Sequence, residues 1–410
     1  MRQTFAEKIL SQSSGQTAKS GDFVVCKVSG AMASDTTAPG AITAFKEMGG
    51  SKVWDPHKLF FVIDHASPPP NERIANLHQF MRNFCKEAGG QLYDVGSGIA
   101  HHVLMDGQHV TAGDLFIGAD SHTCTYGAIG AFATGVGATD LAGIMLTGKI
   151  WLRVPASLKV RLTGNLPKGS SGKDIALWLA GKLTIAGATY QAIEFVGDAI
   201  ETLAFADRIP LANMAVEMGA KIGVVINNAI PSHLMPDSGA TYEDEITLDL
   251  QELEPQVAWP SAPDQVTPLK EVTGQKINIA YLGSCTNNRL EDLHKAAAIL
   301  KDEKVAQGVR FYISCATHDI QTKAMKDGTL GTLLEAGGVL LPSGCGPCVG
   351  THLGVPADGE VVISSANRNF KGRMGNPNAQ IFLGSAETVA TAAKLGHLGQ
   401  SFNIEGQGHA

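Results

Sequence analysis

The chain predicts an α/β protein with mainly parallel sheets, and three observations carry that expectation. Short runs rich in Val, Ile, Leu and Phe alternate with amphipathic stretches along most of its length. Many of these apolar runs lead directly into loops bearing Asp, His, Cys, Asn or Arg, the usual place for ligands at the carboxyl ends of parallel strands. Two interruptions, near VPASLKVRLTGNLPKG and across the acidic, proline-bearing residues 231–275, divide the chain into units at 1–155, 156–270 and 271–410.

Taken in order, residues 1–20 read as a short polar helix and DFVVCKVSG as the first strand. AITAFKEMGG is a helix and KLFFVID a strand. NERIANLHQFMRNFCKEAGG is a helix opening at Asn71, with Ile74, Leu77, Phe80, Met81 and Phe84 at helical spacing. QLYDVG, DLFIGAD and a glycine-rich run through residue 146 complete the first unit. The second holds a strand at SLKVRLT, a helix at KDIALWLAGKL, YQAIEFVG, the helix RIPLANMAVEMGA and the strand KIGVVIN. Residues 231–275 read as extended surface structure and a linker. The third unit alternates most cleanly: INIAYLG, RLEDLHKAAAILK, VRFYIS, a helical stretch from His318, VLLPSG, VVISS, AQIFLGS and the helix AETVATAAKLG. The last dozen residues read as a loose polar tail.

Composition excludes several classes. At 44% hydrophobic and 17% charged residues the 410-residue chain has ample material for buried cores. A net charge of −7 leaves no electrostatic footprint for nucleic acid or an anionic membrane. No segment approaches the roughly 18 consecutive apolar residues of a membrane span, and the N-terminus lacks an apolar signal core, so the expectation is a cytoplasmic enzyme. Seven cysteines are too few, and odd in number, for a disulfide scaffold. Cys26, Cys85 and Cys315 read as small buried hydrophobes.

Three other cysteines stand apart. Cys345 and Cys348 lie in the loop LPSGCGPCVG, and Cys285 in LGSCTNN, both directly after apolar runs. Three thiols on two strand-end loops read as a metal site. Gly344, Gly346 and Gly350 let backbone approach a bound group, and Pro347 stiffens the loop. Structural zinc prefers four closed ligands, whereas an iron–sulfur cluster on three thiolates leaves one iron open. The C-x-x-C does not open a helix as a thioredoxin-like motif would. Zinc and cluster both remain open on these residues alone. NRNFKGRMG sets Arg368, Lys371 and Arg373 in a loop suited to carboxylates or phosphates. Asp64–His65 and Asp120–Ser121–His122 follow buried strands, where charged pairs are poor packing choices and good acid–base groups; His101–His102 has similar standing.

With these motifs assembled, the chain resembles the aconitase superfamily, above all the large subunits of two-chain members of the 3-isopropylmalate dehydratase and homoaconitase type. GADSHTCTYGAIGAFATGVGATD, GSCTNNRLEDL, GCGPCVG and NRNFKGRMG carry the resemblance, in that order, over residues 20–400. It implies three α/β/α subdomains with the site at their interface. It implies a [4Fe–4S] cluster on Cys285, Cys345 and Cys348, its fourth iron free for substrate. It implies Asp64, His65, His101, Asp120, His122 and Glu194 as catalytic groups. Ser121, Asn367, Arg368 and Arg373 would bind substrate or border the cluster. The implied activity is a hydro-lyase acting on a small 2-hydroxy di- or tricarboxylate, foremost isomerisation between 2- and 3-isopropylmalate in leucine biosynthesis. Homocitrate, dimethylmalate, citramalate and maleate chemistry are the alternatives. A separate small subunit would supply a serine base and more arginines, in a heterodimer or heterotetramer, so this chain alone should be inactive. Departures from the family pattern are Ser34 where its members commonly have His, and Ala100 and Ala212 where Cys is common; Ser34 is placed at the border of the substrate pocket. A cluster-bearing RNA-binding regulator and a zinc hydrolase are the competing classes.

Overall fold

A computed structural model describes residues 2–400. The expected polar tail therefore lies outside the described residues from 401 onward. Three parallel arrays organise the chain. The first runs in spatial order Gln91–Tyr93, Leu59–Val62, Gly30–Ser34, Leu115–Ala119, Phe132–Gly135, all parallel. The second runs Ile222–Val225, Ala192–Val196, Ser157–Thr163, Asp244–Asp249, again all parallel. The third has five parallel strands, Gln380–Leu383, Val361–Ser364, Ile279–Leu282, Arg310–Ile313 and Gly338–Leu340. The central strands are buried on both faces, as their continuous apolar runs require.

The strand order fixes where a site can form. In the first sheet the chain grows outward from Gly30–Ser34 to Gln91–Tyr93, then crosses to Leu115–Ala119 and grows the other way. In the third it grows from Ile279–Leu282 to Gly338–Leu340, then crosses to Val361–Ser364. Each reversal leaves a crevice beyond the carboxyl ends of two adjacent strands. Asp35 and Asp120 follow the first crevice's strands, and Cys285 and Asn367 the third's.

Four sequence expectations change. The strand in DFVVCKVSG is only Phe23–Lys27, which pairs antiparallel with Lys149–Arg153 on the surface, and a second strand, Gly30–Ser34, begins at its last residue and enters the first sheet. Val28 and Ser29 separate them, because the alternating pattern of the first piece suits a one-sided ribbon and the small residues of the second suit a buried strand. Residues 231–275 are not a linker. Asp244–Asp249 is an edge strand of the second sheet, and the hairpin Gln256–Ala258 with Val266–Pro268 joins the edge of the third. The third sheet therefore begins before residue 271. Its hairpin residues Gln256–Ala258 are fully buried although the surrounding segment is polar. The glycine-rich run begins as a 3₁₀ segment, Ser121–Ile129, before the strand Phe132–Gly135. The helix at RIPLANMAVEMGA stops at Asn213 and tightens into a 3₁₀ turn, Met214–Met218.

The long helix behaves as its sequence reads. It spans Glu72–Ala88, and the Asn71 side chain accepts the Ile74 N–H at 3.0 Å as its N-cap. Met81 and Phe84 are buried, and so is His78, which points at Asp35 rather than into apolar packing.

Candidate active site and metal centre

The loops after the first and third sheets face each other, with a turn of the second unit between them. Asp35 organises the first loop. Its carboxylate accepts from the backbone N–H groups of Asp64 (3.2 Å), His65 (2.9 Å) and Ala66 (2.9 Å), with His78 Nε2 at 3.3 Å. Burial opposes its ionisation, but His65, His78 and the Ala66 N–H outweigh it and hold the carboxyl well below its usual range. Asp64 Oδ2 accepts the Ala100 N–H at 2.8 Å, so the helix carrying His101 and His102 is tied to the same loop.

From this frame a chain of polar groups enters a cleft of about 610 Å3. His65 Nδ1 meets Asp64 Oδ1 at 2.7 Å, and its Nε2 lies 3.7 Å from Asp120 Oδ2. Asp120 also faces His101 Nε2 at 3.2 Å and accepts the His122 N–H at 2.8 Å. Burial works against Asp120 ionising, yet His101, His65 and His122 together hold it far below its ordinary value. Burial likewise opposes His65 gaining a proton, but Cys345, Asp64 and Asp35 raise it well above an ordinary histidine. His122 goes the other way: burial lowers it despite Glu217 at 2.8 Å.

Glu217 was not legible in the sequence. It comes from the 3₁₀ turn after Asn213, a stretch that reads as unbroken helix, and nothing in its spacing marks it. Its carboxylate grips Arg368 Nε at 2.8 and 3.0 Å as well as His122. Arg368 Nη1 reaches Ser121 Oγ at 3.1 Å. His65, Asp120, Ser121, His122, Arg368 and Arg373 line the one cleft, with Thr36 and Thr37 on its rim.

Glu194 stands elsewhere, and the expectation that it lines this site is corrected. It sits mid-strand in Ala192–Val196, wholly buried, where it bonds Ser157 Oγ, the Ala6 N–H and Tyr242 Oη. A side chain from the middle of a central strand points into a sheet face, away from the strand-end loops. Ser34 is fully buried too, bonded to Thr36 Oγ1 at 2.8 Å, so Thr36 rather than Ser34 borders the cleft. Ala100 and Ala212 are core residues of one apolar cluster. Lys371 is exposed.

The three cysteines are buried at the third sheet's crevice. Cys285 Sγ receives the amides of Asn213 (3.1 Å) and Asn367 (3.2 Å). Cys348 Sγ receives Arg373 Nη2 (3.5 Å) and the Ser284 hydroxyl (3.6 Å). The Cys345 N–H donates to Asp64 O at 2.9 Å, which locks the third unit's loop to the first. Gly346, between the two cysteines, has φ of 56°, and a Cβ there would stand 2.9 Å from Tyr281 Oη.

This donor set fits an iron–sulfur group. Burial pushes the Cys285 thiol up to about 12, so its thiolate would form at neutral pH only with a cation such as a metal beside it. Among the described residues, the trio whose ligand atoms converge within 4.8 Å is Asp64, His65 and Cys345, not the three thiols. One tetrahedral zinc would bring its thiolates to roughly 4 Å of each other. N–H and O–H donors aimed at sulfur are also what such clusters use. Arg373 Nε is buried without a protein partner beside Cys348.

A family model described as "Aconitase family (aconitate hydratase)" matches residues 7–230 and 226–396. The chain belongs to the aconitase family. It is a hydro-lyase of that family, whose members use iron–sulfur clusters. Its aconitase-type sequence is 44% identical to "3-isopropylmalate dehydratase large subunit 1" of Methanopyrus kandleri, over 97% of this chain and 98% of that one. It is 43% identical to the protein of the same name from Thermotoga maritima, with the same coverage. It is 46% identical to a "Probable methanogen homoaconitase large subunit" from Methanosarcina mazei, over 90% of this chain and 97% of that one. Among the described residues, no helix is long and apolar enough to cross a membrane.

Proposed function

We propose that this chain is the large subunit of a two-chain dehydratase that isomerises 3-isopropylmalate and 2-isopropylmalate through their common alkene. The observation that carries the reading is one cleft in which paired His and Asp groups face two arginines beside three buried cysteines. Near-full-length likeness to proteins named 3-isopropylmalate dehydratase large subunit supports the substrate, and their "large subunit" label supports a small-subunit partner. Homocitrate chemistry is the second reading, favoured by the likeness to a homoaconitase large subunit.

Cys285, Cys345 and Cys348 would hold a [4Fe–4S] cluster, which when bound supplies a Lewis-acidic iron to polarise the substrate's hydroxyl and carboxylate. Arg368, held by Glu217, and Arg373 bind carboxylate oxygens through their N–H groups. His65 keeps a proton on Nε2, facing the cleft, because Asp64 accepts from Nδ1. That proton goes to the departing hydroxide, and His101 with Asp120 restores it. The C–H base comes from the small subunit.

The test is anaerobic loading with iron and sulfide, then assay of alkene formation with and without the small subunit. Substrates are isopropylmalate, homocitrate, citrate, citramalate and dimethylmalate. About four irons per chain and turnover of isopropylmalate by the pair alone are expected. Turnover of homocitrate only would move the assignment to the second reading, and no turnover of any hydroxy acid would sink both.

A further inference from the structure

Lys173 is a buried charge that the chemistry above leaves unused. It lies in the first turn of the helix Gly172–Leu183 and is 0% exposed. That turn is the positive end of the helix dipole, where an ammonium is normally disfavoured. Its Nζ is bonded to carbonyls rather than carboxylates: Ser365 O at 3.1 Å and Ala366 O at 2.6 Å. Ser365 O also accepts the hydroxyl of Thr286, the residue after Cys285, at 2.7 Å. Ala366 is followed by Asn367, whose amide is aimed at Cys285 Sγ. The lysine thus clamps the turn that leads from the strand Val361–Ser364 into the arginine loop and that the Cys285 loop bonds through Thr286.

Burying an ammonium without a counter-charge costs several kcal/mol, so something must balance it. Burial pushes Lys173 down to about 8, and the groups that work against this are led by Cys285 and Cys348, ahead of Asp174 and Glu217. We propose that Lys173 is a positioning residue for the cysteine-bound cluster. Its ammonium balances the thiolates of Cys285 and Cys348 and its two hydrogen bonds hold the turn that presents Asn367. The inference rests on those cysteines holding an iron–sulfur cluster, and it goes further by giving the cluster's charge a partner on the second unit.

Removing a buried cation beside a cluster disfavours the more negative, reduced state, so its midpoint potential falls. Loss of the same charge eases oxidation, and iron is released faster in air. The variants are Lys173→Met, which removes charge and hydrogen bonds, Lys173→Gln, which keeps a donor without charge, and Lys173→Arg, which keeps the charge. Each is loaded anaerobically beside wild type, iron and sulfide are counted, and the couple is titrated with dithionite, one electron per cluster, by electron paramagnetic resonance.

Wild type and Lys173→Arg are expected to share one potential. Lys173→Gln and Lys173→Met are expected to titrate lower and to lose iron in air several-fold faster. Failure of folded Lys173→Gln to retain iron, where Lys173→Arg does, also supports the proposal. Loaded Lys173→Gln and Lys173→Met with wild-type potential and iron loss would overturn it and leave the cluster assignment standing. Wild type that binds no iron and sulfide removes the cluster assignment itself, and the inference with it.

Discussion

Glu217 joins His122 and Arg368 with one carboxylate, and each contact depends on its charge. Burial opposes that charge, while His122 and Arg368 hold the group below its ordinary value. Glu217→Gln keeps the volume and leaves Arg368 without a counter-ion. Its kcat/KM is expected to fall by about 10²-fold, much of it through KM, because the guanidinium no longer points into the cleft. Glu194→Gln is the control. It lies under a different surface, and steady-state kinetics of that variant should match wild type while its thermal midpoint drops. Asp35 is the third case. Asp35→Asn offers one oxygen to donors now served by two, so it should destabilise the protein by about 2–4 kcal/mol at neutral pH in denaturant titration. The sign follows from its depressed pKa: the stabilisation is present above the unfolded value near 4 and is lost as pH falls below it. The variant should therefore lose its deficit in acid. A deficit that is the same at pH 3 and pH 7 would show that the carboxylate's charge is not what matters.

At the scale of elements, strand-end position is what made much of the site legible. His65, Asp120, Cys285 and Arg368 all lie within a few residues of an apolar strand's carboxyl end, and a parallel sheet gathers such positions on one edge. Glu194 misled because it is inside a strand, and Glu217 escaped because a 3₁₀ turn interrupts what reads as helix. Asp244–Asp249 and Val266–Pro268 read as linker because edge strands bury little and so carry a polar pattern, and the buried Gln256–Ala258 between them is too short to stand out from its polar surroundings. The helix Gly172–Leu183 adds a pH effect no local pattern shows. Its capping Asp174 accepts from Ser171 and from the Gln256 N–H, and burial raises it to about 7. A folded pKa above the unfolded value near 4 means its stabilisation is full below about pH 4 and is lost as pH rises through 7. Asp174→Asn should cost most at pH 4, where the wild-type stabilisation is full, and least at pH 8. Denaturant midpoints at the two pH values check this, and a larger deficit at pH 8 would reverse the sign.

At the scale of the molecule, the three sheets contribute loops to one centre. The first gives Asp64, His65 and Asp120, the second unit Asn213, Glu217 and Lys173, and the third the three cysteines with Asn367, Arg368 and Arg373. Direct links cross every boundary: Cys345 N–H to Asp64 O and His102 Nε2 to Cys285 O at 3.0 Å between the first and third, His122 Nε2 to Glu217 at 2.8 Å between the first and second, and Asn213 to Asn367 at 3.0 Å between the second and third. Burial keeps His102 neutral, lowering it well below an ordinary histidine, so Nε2 can donate to that carbonyl while Nδ1 accepts from Arg289. A bound cationic group at the cysteines would hold these loops together, because it favours thiolates that then attract Lys173 and Arg373. Chelating the iron should therefore loosen more than the third unit. Hydrogen exchange of loaded and stripped protein should show faster exchange at residues 283–289, 343–350 and 365–374. It should also show it at residues 64–66, 99–102 and 213–217 in the other two units. The core strands Leu59–Val62, Ala192–Val196 and Ile279–Leu282 keep their protection, since each is closed by ladder hydrogen bonds to buried parallel neighbours. Exchange that rises only in the third unit would mean that the loops of the other two stand without the cluster, and that the three sheets are joined by their cores alone.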